Sequence, residues 1–170
     1  AIRHKKVLSI LYQPFRKEPE EFTIHPFLLK EYHNRWYVIG YNEEAREPYT
    51  LGLDRIHDIA HKKNRFYRIT NDCNPETLYQ FSFGITTNTL EPEDYVLKFT
   101  GPACDHIKAR PLHVTQEILE ETEDHLVIKL ILIPSLEFRK EVLGWGDQVE
   151  VLEPEEFRQE IGDIIRNMGL

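Results

Sequence analysis

Arg35, Tyr37 and Arg55, together with His25 and Tyr12, are the side chains of this sequence best suited to binding chemistry. An anion site needs converging donors without an internal counterion, and a nucleobase adds a flat apolar surface on which to stack. Guanidinium, phenol and imidazole groups supply both. Catalytic constellations are weaker. His57 and His61 would need a helix to act as an i, i+4 metal pair, but a Lys-rich turn follows them. Cys104, Asp105 and His106 are adjacent in sequence, whereas a nucleophile and its base are normally brought together by the fold. There is no GxSxG, P-loop or GxGxxG segment. The chain reads as a non-enzyme, with no cofactor and no metal.

The segment Arg35 to Tyr41 joins a strand of high aromatic density to a cation. Val, Ile, Trp and Tyr favour the pleated, half-buried surface of a sheet. Alternation puts Trp36, Val38 and Gly40 on one face and Arg35, Tyr37, Ile39 and Tyr41 on the other. Trp36 is assigned to the core, where a large indole contributes most by burial. Four short strands are expected, at Val7 to Tyr12, Phe22 to Lys30, Arg35 to Tyr41 and Tyr49 to Ile56, with a fifth from Phe66, Tyr67 and Ile69. Such spacing is that of a small antiparallel barrel, whose closure would remove exposed edges. Asn71 to Pro75 breaks the pattern, and Pro75 to Phe83 reads as a short helical link ending at Gly84.

Beyond the link the pattern changes. Tyr95 to Phe99 and His125 to Ile133 are strands, and Asp105 to Ala109 is open between helix and strand. Ser135 caps a helix carrying Leu136, Val142 and Leu143 and ending at Gly144. Gln148 to Leu152 is a strand. Glu153-Pro154-Glu155-Glu156 then opens a last helix, with Pro in the first turn and negative charge against the dipole. Its apolar positions are Phe157, Ile161, Ile164, Ile165 and Met168, and Gly169 ends it. The expectation is a small α+β sandwich.

The 170 residues allow one large or two small domains. Two separated cysteines, Cys73 and Cys104, give neither a disulfide framework nor a zinc spacing, and read as reduced thiols. No apolar run approaches the roughly 20 residues that span a bilayer, and no signal segment opens the chain, so it is expected to be soluble and cytoplasmic. The first residue is Ala1, which points to a piece of something longer. The net charge of -8 hides a split. Residues 1 to 70 carry 13 Lys/Arg against 9 Asp/Glu, and residues 71 to 170 carry 8 against 20. The basic half is the one suited to an anionic partner.

The segments His25-Pro26-Phe27-Leu28, Asn34-Arg35-Trp36-Tyr37-Val38 and Leu53-Asp54-Arg55-Ile56 carry a resemblance to the WYL domain of bacterial transcriptional regulators. Val96-Leu97-Lys98-Phe99, Ser135-Leu136-Glu137-Phe138, Gly144-Trp145-Gly146 and Val149-Glu150-Val151-Leu152-Glu153-Pro154 resemble the extension that commonly follows it. The resemblance implies a mainly β plus α+β chain: an Sm-like antiparallel β-barrel over residues 1–88, then a ferredoxin-like α+β extension over 89–170. It implies a sensor of a single-stranded nucleic-acid or nucleotide-like effector. The ligand-binding residues carried over are His25, Arg35, Tyr37 and Arg55, with Tyr12 on the first strand. The partners implied are a second copy of the chain in a homodimer, and operator DNA read by an N-terminal winged helix-turn-helix absent from these residues. Val38 replaces the family's Leu, and Gly52 stands where Arg is common.

Each residue keeps a second reading. Arg55 could pair across strands with Glu31, Arg35 could be a solvated turn residue, and His25 could be a hydrogen-bonded structural histidine. Lys62, Lys63, Arg65 and Arg68 could add positive charge near the pocket or merely guard a strand edge. Two alternatives to the sensor stay open: a protein-interaction scaffold without a ligand, and an Sm-like RNA-binding module.

Overall fold

The computed structural model describes residues 1–68, 75–86 and 90–169. It divides into two compact units, Ala1–Gln80 with Ile85–Asn88, and Phe81–Gly84 with Thr89–Leu170.

The first unit is one antiparallel sheet of β1 (Leu8–Tyr12), β2 (Glu20–Tyr32), β3 (Arg35–Asn42), β4 (Glu47–Gly52) and β5 (Ile56–His61), in the order β4-β3-β2-β1-β5. Period-two alternation drives β1: Leu8, Ile10 and Tyr12 are buried with Ile24, Val38 and Leu51 in the main cluster of this unit. His33 and Asn34, both at positive φ, make the two-residue turn between β2 and β3, with Tyr32 opposite Arg35. Proline has no N–H to give a ladder, and the β2–β3 register shifts between Pro26 and Leu28. Beyond that bulge Phe27 and Ile39 form a second small cluster, joined by Tyr37, Tyr41 and Tyr79. A side chain at Gly40 would stand 2.4 Å from Ile24 Cγ2, so only glycine lets β2 pass there.

The sheet is curled. The Gly52 amide, at the end of β4, donates to Tyr12 Oη on β1 at 3.4 Å, and the Gln13 amide donates to the Arg55 carbonyl at 3.0 Å. No ladder joins β4 to β5 among the described residues, so the expected closed barrel is not found. The fourth strand expected at Tyr49 to Ile56 stops at Gly52, and Leu53–Arg55 is a 3-10 turn. The fifth strand is Ile56–His61, not Phe66 and Tyr67, which lie outside regular structure. Ile69, and the break at 71–74 with Cys73, lie outside the described residues. Of the expected helical link only α1 (Pro75–Leu78) is helical.

The second unit runs β6 (Glu93–Thr100), α2 (Ala103–Ala109), β7 (Glu117–Glu121), β8 (His125–Leu132), α3 (Leu136–Gly144), β9 (Val149–Glu153) and α4 (Glu155–Met168). This β-α-β-β-α-β succession, with a closing helix, makes an antiparallel sheet of order β7-β8-β6-β9. Tyr95, Leu97 and Phe99 alternate inward from β6 onto Ile128, Leu130, Phe138 and Phe157, all in one core. The Phe138 amide donates to Ser135 Oγ at 3.2 Å, so Ser135 does cap α3. In α4, Phe157 and Ile161 are buried while Ile165 and Met168 are exposed. Leu136 is likewise exposed, and Phe138 takes its inward place on α3. Strand β7 was not expected: its Glu-Ile-Leu-Glu-Glu run is exposed throughout and lacks a buried face to read. No helix among the described residues is long and apolar enough to cross a membrane.

Candidate functional site

The bend from β4 into β5 builds the site. Gly52 has ordinary backbone angles (φ -66°, ψ 128°), and the 3-10 turn after it swings Asp54 and Arg55 back over its Cα. A Cβ at position 52 would lie 2.7 Å from Asp54 Oδ1 and 3.1 Å from Arg55 Nη2. The missing side chain is therefore the space in which the guanidinium rests. Strand alternation would have put Asp54 and Arg55 on opposite sides, and the turn cancels it.

Arg55 Cζ lies 4.1 Å from the centre of the Phe15 ring and 5.0 Å from that of Tyr12. Cation–π contact holds the charge without neutralising it. Arg55 makes no ion pair with Glu31 or any other carboxylate among the described residues, and its Nε is buried without a hydrogen-bond partner. Tyr12 is 4 % exposed. Burial pushes its phenol up, partly offset by Arg55, so Tyr12 stays protonated. Its oxygen accepts the Gly52 amide, which leaves its own proton to donate.

Tyr37 stands opposite Gly52 in the β3–β4 register and is half-buried against Phe27 and Ile39. Its phenol also acts electrostatically on Tyr12. Arg35 Nη1 is 3.6 Å from Asp54 Oδ2, both side chains more than half exposed. An exposed pair of this kind is worth about 0–1 kcal/mol, so Arg35 is tethered near Arg55 and not locked there.

His25 belongs elsewhere. It is 1 % exposed, its Nδ1 accepts the Arg68 amide at 2.9 Å, and its ring stands 5.8 Å from those of Tyr41 and Tyr67. Burial lowers its pKa, with the carboxylate of Glu43, 3.8 Å from Nε2, partly opposing. No hydrogen bond, ion pair or ring contact joins His25 to Tyr12 or Arg55 among the described residues. The structure thus gathers Tyr12, Arg35, Tyr37 and Arg55 around Gly52 and leaves His25 in a packing network.

Trp36 is not in the core: it is 50 % exposed, because the end of the β2–β3 hairpin carries no covering layer. Phe15, 69 % exposed beneath Arg55, was missed by sequence reasoning. Its only signal is an aromatic ring placed just past β1, after Pro14. Of the basic cluster, Arg68 serves His25 through its backbone, Arg65 pairs with Glu43 at 3.3 Å, and Lys62 donates to Thr23 Oγ1 at 2.8 Å.

A family model described as WYL domain matches residues 1–61, and one described as WCX domain matches residues 91–169. No curated protein matches the chain. Among solved structures, the proteasome accessory factor B/C (PafBC) of Arthrobacter aurescens is 15% identical over 95% of this chain and 24% of its own, with a TM-score of 0.42. A structure titled as that of a CRISPR Cas-related protein is 10% identical over 99% of this chain and 48% of its own, with a TM-score of 0.60. The latter likeness is one of fold. The chain spans about a quarter and about half, respectively, of the lengths of these two proteins.

Proposed function

With a WYL domain followed by a WCX domain, the chain belongs among the WYL-domain proteins, and from that premise we propose that it is the sensing part of a bacterial transcriptional regulator. The WYL unit binds a nucleic-acid or nucleotide-like anion, and the WCX extension is the dimer element that couples occupancy to a DNA-reading helix-turn-helix. The Sm-like character of the WYL unit belongs to this reading, supported by the curl that brings Gly52 onto Tyr12.

One observation carries the proposal: Arg55 is a cation stacked on Phe15 and Tyr12 that makes no ion pair among the described residues, the nearby Asp54 carboxylate pairing with Arg35 instead. A phosphate meets Arg55, Arg35 and the Tyr12 hydroxyl there, and a base finds the exposed Phe15 ring. A ligand that binds one arrangement of the two units better than another shifts the equilibrium between them, and a ligand indifferent to both shifts nothing.

Titration of mononucleotides and of labelled single-stranded oligonucleotides against wild type and Arg55→Ala is the test. A charge-assisted bond to phosphate contributes about 1.5–3 kcal/mol, so the variant should lose roughly 10- to 150-fold in affinity. Log affinity should fall with log salt at a slope of about -2 to -3.5 for three to five neutralised phosphates. The Arg35–Asp54 pair favours the other reading, a scaffold without a ligand. A dimer that ignores every nucleotide, with wild type and Arg55→Ala alike, would establish it instead.

A further inference from the structure

A cleft of about 1020 Å³ opens on the second unit where β6, α3 and α4 begin. Its floor is aromatic: Phe138 and Phe157 stack with ring centres 5.5 Å apart, and Tyr95 stands edge-on to them at 4.8 and 5.1 Å. All three rings belong to the buried core, which fixes the floor. Apolar surface lines the sides as well, where Leu90 is 56 % exposed and Leu136, the first residue of α3, 53 %. Helical periodicity requires this of Leu136. With Phe138 and Val142 turned inward, a residue two places before Phe138 lies about 200° round the helix. Six carboxylates also line the cleft, from Glu93, Asp94, Glu153, Glu155, Glu156 and Glu160, against one cation, Arg139. Asp94 pairs with Lys129 at 2.7 Å, Glu160 pairs with Arg139, and Glu93 accepts the Tyr95 hydroxyl at 3.2 Å. Glu153, Glu155 and Glu156, all exposed, make no ion pair among the described residues. The dipole of α4 favours Glu155 and Glu156 where they stand, and the rim as a whole stays negative.

We propose that this cleft docks a basic amphipathic segment of a partner protein, whose lysines or arginines meet the rim while an apolar side chain packs against Leu90 and Leu136. Three features select that occupant. Among the described residues no three of the carboxylates are grouped so as to hold a metal ion, so the charge suits several cations spaced along one ligand. The volume lies at the upper end of the roughly 300–1,000 Å³ of small-molecule pockets, which leaves room for a length of chain. A second copy seated cleft to cleft would set carboxylate against carboxylate across a two-fold axis, so the surface is unsuited to a symmetric dimer. Apolar anchors inside a groove with complementary charge at its edge are the means by which grooves take amphipathic segments. The inference stands apart from the Arg55 site and does not depend on it.

The test is fluorescence anisotropy on the full chain with three labelled peptides of about 14 residues. The first carries lysines and leucines at helical spacing, the second has glutamates for the lysines, and the third has serines for the leucines. The proteins are wild type, Leu136→Ala, the double variant Glu153→Gln, Glu156→Gln, and a control, Glu117→Gln, Glu123→Gln, which removes two exposed carboxylates outside the cleft. All these sites are exposed, and circular dichroism checks that each variant is folded. The first peptide should bind wild type and the control alike. It should bind the double variant and Leu136→Ala each about fivefold more weakly. The second and third peptides should bind wild type at least about tenfold more weakly than the first. Absence of binding by the first peptide overturns the proposal, as does unchanged binding to either cleft variant. An equal loss in the control overturns it too, since attraction to the acidic half at large would then suffice. Sedimentation of the free chains gives the last outcome: a wild-type dimer that Leu136→Ala turns into a monomer would assign the cleft to a second copy and overturn the proposal.

Discussion

The buried ring of His25 holds its Nδ1 as an acceptor for the Arg68 amide, and a proton on that nitrogen would break the bond. Its pKa is lowered in the fold, chiefly by burial. Below the ordinary histidine value of 6.5 the unfolded chain takes up a proton that the folded chain refuses. The stability gained from the neutral ring is therefore present above about pH 6.5 and is lost as the pH falls toward the depressed value. The slope is at most about 1.4 kcal/mol per pH unit for one proton. Urea unfolding at a series of pH values should show this loss, and His25→Gln should flatten it. An unchanged slope in the variant would assign the effect to another group. His25 and Arg55 look equally suited to a ligand as letters in a sequence. What separates them is whether the polar atoms are already used, and that depends on Arg68 and Glu43, both more than a dozen residues away in the chain.

The 3-10 turn Leu53–Arg55 is the element on which the site depends, and Gly52 is its hinge. Since φ at Gly52 suits any residue, Gly52→Ala introduces no backbone strain, only a methyl group within 3.1 Å of the Arg55 guanidinium. Asp54 and Arg55 are flexible at their far ends and can give way. The expected outcome is a melting temperature close to that of wild type and nucleotide affinity weaker by roughly 1 kcal/mol, about fivefold. Unaltered affinity would mean that the guanidinium position is immaterial. Elements with a plain buried face were legible in the sequence: Leu8, Ile10 and Tyr12 of β1, Tyr95, Leu97 and Phe99 of β6, and the Ser135 cap. The misplacements share a cause. Leu53 and Ile56 carry the apolar pattern of a strand on past Gly52, yet the sheet must turn there to bring β5 beside β1, and tertiary pairing overrides that local pattern. Strand β7 escaped because an exposed edge places no demand on alternation.

Each unit has its own apolar core: Leu97, Ile128, Phe138 and Phe157 lie in one, and Ile10, Ile24, Val38 and Leu51 in the other. Truncation in one should therefore leave the other's chemistry alone. Ile128→Ala, at a fully buried position, should cost about 2–5 kcal/mol in the second unit. Amide exchange would register that loss in β6, β8 and β9, while nucleotide titration at Arg55 stays at the wild-type value. A parallel loss of affinity would show that the two cores fold as one. The charge is divided along the chain as well, with the basic excess before residue 70 and the acidic excess beyond it. The two tryptophans are divided in the same way: Trp36 is half in water next to Arg35, and Trp145 is tucked edge-on against Phe99 with its Nε1 donating to Glu141. Nature has thereby labelled the molecule with two optical reporters. The indole of Trp36 is open to quenchers in the first unit, and that of Trp145 reports the integrity of the second.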